Sequence, residues 1–121
     1  MKLYLKYWLP ALMWAGIIFF ASSRPNPGLN FFPFLDKVAH LGIYSFLGFF
    51  IARAFYRGHG FSIRICILLA VALSAVYGLS DEWHQMYVLT RTAEWGDLLS
   101  DFLGGLTGSV IYGSLFQIQK K

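Results

Sequence analysis

A chain of 121 residues, 57% hydrophobic and 13% charged, has room for one domain and too few charges to cover a soluble core. Its formal charge of +4 and pI near 9.4 come from basic residues scattered along the chain rather than gathered in a stripe, which argues against nucleic acid as a partner. The single cysteine, Cys66, excludes an internal disulfide and a cysteine-built zinc site, and its apolar neighbours make it a packing residue.

Apolar runs recur four times with polar punctuation between them. The expected fold is therefore an all-α integral membrane protein, a four-transmembrane-helix bundle with a polar cluster at its outer end. Residues 1–121 form one domain, with spans at about 4–21, 36–55, 63–79 and 97–116.

The first span runs from Tyr4 to Ala21 behind Lys2 and Lys6, with Trp8, Pro10 and Trp14 inside it. Ala21-Ser22-Ser23 resembles a cleavage site, but the run is read as a retained span because the later polar clusters need a membrane partner. Ser22 to Pro33 contains Pro25, Pro27, Gly28 and Pro33, which cannot continue a helix. This is the first loop, and Phe31, Phe32 and Phe34 are expected at the interface.

The second span opens at Asp36, which suits the positive end of a helix. His40 and Tyr44 follow at i+4 and i+8, share its face, and should point into the bundle. Asp36 and Lys37 also suit a helix cap and an interface anchor. Arg53 to Arg64 forms a basic turn. The third span begins near Ile63, and Ser74, Tyr77, Asp81 and Gln85 keep helical spacing past its apolar part, so the helix should extend towards the loop at Leu89-Thr90. Asp81 and Glu82 project roughly 100° apart from a helix, so one is expected to face the centre. Asp81 is the choice, because it shares an edge with Gln85. In the fourth span Asp97 and Asp101 lie four apart on one face and need a cation, a shared proton or a basic partner, for which Arg91 and His40 are the candidates. Gly104-x-x-x-Gly108 offers the close approach used by membrane helix pairs, within the chain or between copies in a homo-oligomer.

Asp36-Lys37-x-x-His40-x-x-x-Tyr44, Asp81-Glu82-x-x-Gln85, Arg91, and Asp97-x-x-x-Asp101 followed by glycines resemble, in order and spacing, the VanZ-like membrane proteins associated with teicoplanin resistance. The resemblance covers about Asp36 to Gly108. It departs at Leu89-Thr90, where the pattern has Pro-Gly, and at Asp101, where many relatives have Asn. It implies an indirect effect on antibiotic resistance through the envelope and supplies no settled reaction.

Lys2, Lys6, Arg53, Arg57, Arg64, Lys120 and Lys121 fall on one side of such a bundle, against Arg24, Lys37 and Arg91 on the other. The excess of basic residues on cytoplasmic segments then places both termini in the cytoplasm of a cell with the protein in its inner (plasma) membrane, and the acidic cluster faces outward.

The expected site comprises Asp36, His40, Tyr44, Asp81, Glu82, Gln85, Arg91, Asp97 and Asp101. One reading is a pocket that binds an amphiphile, either a lipid-linked cell-wall intermediate or a lipoglycopeptide tail, with Arg91 and His40 meeting an anionic head and membrane lipid around it. Another is a membrane-embedded enzyme acting on a lipid head group, with His40 and the aspartates as acid and base. A third is a structural salt-bridge network tying helix ends together. No G-x-S-x-G turn is present, and no catalytic residue is assigned. Asp36, Asp81, Asp97 and Asp101 offer oxygen ligands of the kind magnesium and calcium take, but no spacing distinctive of a metal occurs, so neither metal nor cofactor is expected.

Overall fold

The computed structural model describes residues 2–24, 33–89 and 94–120. The expectations for Phe31, Phe32, Thr90 and Arg91 fall outside the described residues. Four helices follow one another: α1 (Lys2–Ser22), α2 (Pro33–Ala54), α3 (Ile63–Gln85) and α4 (Trp95–Lys120). After Ala54 the chain widens into a π turn over Phe55–His59, and Gly60, at φ 72°, reverses it in a backbone conformation that a side chain would disfavour.

Among the described residues, three stretches, Tyr4–Ser22, Phe34–His59 and Ile63–Gln85, are long and apolar enough to cross a membrane. The fourth helix is outside that set. Asp97, Asp101, Thr107 and the glycines at 104, 105, 108 and 113 dilute its apolar residues. Burial supports hydrocarbon as the solvent, because large apolar side chains on α1 and α3 face outward, among them Met13, Phe20, Leu68 and Val76. The interior instead collects small and polar residues, including Ala52, Ala70, Ser74, Ser109 and the fully buried Asp101. Small residues at the contacts and polar groups turned inward are what helices in lipid use to associate.

The most extensive interface joins α2 and α4. These helices run in the same direction, since Lys37 at the start of α2 meets Asp97 at the start of α4, while Phe49 and Tyr56 near the other end meet Tyr112 and Phe116. Glycines set their separation. A Cβ on Gly104 would lie 2.6 Å from the Leu41 carbonyl oxygen, one on Gly108 would run into the Ser45 carbonyl, and one on Gly48 into the backbone of Gly105. At Gly104 and Gly108, α4 packs against α2 of the same chain.

α1 and α3 run the opposite way and are tied on by polar side chains that donate to helix carbonyls. Trp14 Nε1 donates to Ile43 O at 2.8 Å, and Tyr77 Oη donates to Ala15 O. At one end of α1, Ser23 Oγ lies 2.9 Å from His84 Nε2 while Phe19 stacks on the same imidazole. At the other end Trp8 Nε1 donates to His59 Nε2 at 3.0 Å, and Tyr7 is faced by Lys6, Arg53 and Arg57. The bundle therefore has a basic end and an acidic end, and the acidic end is where the first turns of α2 and α4 converge on the last turn of α3.

Candidate functional site

Two sequence clusters that stand about sixty residues apart meet at the acidic end. His40 Nδ1 and Asp101 Oδ1 are 2.7 Å apart, both buried, and Asp36 Oδ1 approaches the opposite ring nitrogen, Nε2, at 3.9 Å. The helical spacing of Asp36, His40 and Tyr44 makes this arrangement, because each residue sits one turn above the next on the face turned to α4. The Tyr44 ring lies nearly parallel to that of His40, with centroids 6.4 Å apart, and its hydroxyl donates to Asp81 Oδ2 at 3.3 Å. So α2 presents a ladder of polar groups, α4 answers with Asp101, and α3 answers with Asp81.

Asp81 and Glu82 were expected to divide, with one facing the centre. Both are buried. The helix has two places to face: Asp81 turns to Tyr44, while Glu82, about 100° round the helix, accepts the Glu94 N–H at Oε2 from the segment that opens α4. Gln85, one turn beyond Asp81, is buried too.

Asp97 finds a base other than the two expected. Lys37 Nζ bridges Asp97 Oδ1 at 3.0 Å and Glu94 Oε2 at 2.7 Å, closing the rim of the cluster across α2 and α4. Lys37 is therefore more than an interface anchor. Its adjacency to Asp36 and the position of Glu94 three residues before Asp97 were the available signals. A third feature that spacing could not supply is the pair of glycines that make room for these side chains. A Cβ on Gly96 would sit 2.5 Å from Lys37 Cε, and one on Gly78 would sit 2.9 Å from Asp101 Oδ2.

The rim and the interior respond differently to substitution. Glu94 is half exposed, so Glu94→Gln should lower stability by about 1 kcal/mol or less. Lys37→Gln should cost more, because it leaves the nearly buried Asp97 without its ammonium partner. Thermal unfolding of the two variants in the same detergent checks the order, and a larger loss in Glu94→Gln would contradict it.

Beside the cluster, a cleft of about 380 Å³ opens between the end of α3 and the start of α4. Leu79, Trp83, Met86, Trp95 and Leu98 make its apolar walls, and Glu82 and Glu94 supply the acidic part. Among the described residues of the expected site, Glu82 alone lines it.

The family model described as VanZ/LLP1 matches residues 7–117, nearly the whole chain. No curated protein and no solved structure matches it.

Proposed function

The chain belongs to the VanZ/LLP1 family, and we propose from that premise that it is a four-span membrane protein whose polar site binds an amphiphilic envelope molecule and so influences glycopeptide susceptibility. The chemistry suits a lipid-linked cell-wall intermediate or the tail of a lipoglycopeptide. One observation carries this reading: the cleft joins an apolar wall to the buried polar network through Glu82, which belongs to both. A hydrocarbon tail laid along Leu79, Met86 and Leu98 brings its head to the acidic end of the bundle. Arg91, in the segment between α3 and α4, is the cation assigned to an anionic head. The separation of Lys6, Arg53 and Arg57 from the acids supports an outward-opening site with both termini in the cytoplasm.

The test is a binding titration of the purified chain in lipid nanodiscs with a lipid-linked cell-wall precursor. Leu98→Trp fills the cleft without replacing a polar group, so it should weaken binding at least tenfold with little change in melting temperature. Equal affinity in the two proteins, or none in the unsubstituted one, would contradict the proposal. The enzyme reading has one observation in its favour, the His40–Asp101 pair at 2.7 Å, which is the arrangement a general base requires. Consumption of the precursor in the same titration, abolished by His40→Asn, would decide for it.

A further inference from the structure

We infer that His40, Glu82 and Asp101 form a binding site for one divalent cation of the manganese or zinc type, buried where α2, α3 and α4 converge. A ring nitrogen of His40 and one carboxylate oxygen each from Glu82 and Asp101 lie within 4.8 Å of one another. Such ions hold nitrogen and carboxylate oxygen at about 2.0–2.2 Å, which sets their ligand atoms roughly 3 to 4.4 Å apart across the ion. Small side-chain rotations therefore close the site around it.

The second observation is independent of that proximity. Among the described residues, Glu82 Oε1 and Asp101 Oδ2 are buried and have no hydrogen-bond partner. The two side chains are 7% and 0% exposed as residues, so water does not compensate them freely. Their other oxygens are already engaged, Glu82 Oε2 by the Glu94 N–H and Asp101 Oδ1 by His40 Nδ1. The Glu94 bond is an outer hydrogen bond of the kind that orients a metal-bound carboxylate, whereas the His40–Asp101 contact joins two of the ligands, and an ion that takes His40 Nδ1 replaces that contact and releases the ring proton. Two carboxylates also balance the charge of a divalent ion in a place where uncompensated charge is costly.

A neighbouring group, Asp36, His40 and Asp97, is equally close-set, but Asp97 in it already faces the Lys37 ammonium at 3.0 Å. The inner group has no lysine against it among the described ion pairs. One imidazole with two carboxylates suits manganese or zinc, whereas calcium takes six to eight oxygens. The remaining coordination positions go to water or to an oxygen of a ligand head. The inference stands on these contacts and does not depend on the amphiphile reading.

The experiment uses the full chain purified in detergent, stripped with a chelator and desalted. It is then loaded with Mn²⁺ or, separately, Zn²⁺, and its metal content is measured by mass spectrometry. One equivalent per chain is expected, with affinity falling at least tenfold in Glu82→Gln and unchanged in His59→Asn, a control for adventitious histidine binding at the basic end. Because Glu82→Gln could fold poorly, the unsubstituted protein supplies a second readout: its melting temperature should rise on adding Mn²⁺ or Zn²⁺ and return to the stripped value with chelator. No bound ion at saturating metal together with no melting shift overturns the inference, and so does metal content that His59→Asn removes or folded Glu82→Gln retains.

Discussion

Gly108→Ala is expected to prevent the chain from accumulating as a folded protein, while Gly42→Ala leaves it unchanged or slightly more stable. In a helix, alanine in place of glycine is ordinarily favourable by roughly 0.5–1 kcal/mol. At Gly42 nothing lies within 4 Å of the added methyl, so that ordinary sign should hold. At Gly108 the methyl meets the carbonyl oxygen of Ser45, backbone atoms of a helix that cannot rotate aside. Overpacking costs about 1–3 kcal/mol even where side chains yield. Here α2 and α4 have to separate, and with them His40 and Asp101, which they carry. Membrane yield and melting temperature of the two variants, measured side by side, check the contrast. Equal behaviour would mean that α2 and α4 do not approach at Gly108.

His40→Leu should be the most damaging single change in the polar cluster. It leaves Asp101, 0% exposed, without its ring partner, and a buried carboxylate stripped of its partner costs on the order of 3–5 kcal/mol. The double variant His40→Leu/Asp101→Leu removes both polar groups and should recover a large part of that loss. Asp101→Asn should be mild, because the amide oxygen still accepts from the imidazole at the same place. The parent, His40→Leu, the single Asp101→Leu and the double variant form a thermodynamic cycle whose coupling term measures the contact. A double variant that loses the sum of the two singles would show that His40 and Asp101 do not interact.

Much of the architecture follows from local sequence chemistry. The helix starts at Pro33 and Trp95 fall within three residues of the acids expected to open them, and the i, i+4, i+8 spacing of Asp36, His40 and Tyr44 does produce one inward face. The glycines of α4 do make a close approach, though the sequence could not say to which helix. Connection lengths favour neighbours in the chain, and the largest contact is instead between α2 and α4, which are separated by the whole of α3. Helical periodicity fixes the angle between Asp81 and Glu82, not the number of partners around them, so it does not reveal that both are buried. Lys37 was underweighted for a similar reason. A lysine beside a helix cap reads as an interface anchor until the chain beyond it, here Glu94 and Asp97, is brought back alongside.

Residues far apart in the chain meet in one polar cluster about the contact between His40 and Asp101. The most direct measurement is nitrogen NMR of the imidazole rings in chain labelled at its three histidines, with the signals of His40, His59 and His84 assigned by single substitutions. Asp101→Asn should shift the ring nitrogens of His40, which face Asp101 at 2.7 Å, and leave those of His59 at the basic end in place. A His40 signal that does not move in a variant folded like the parent would contradict the account.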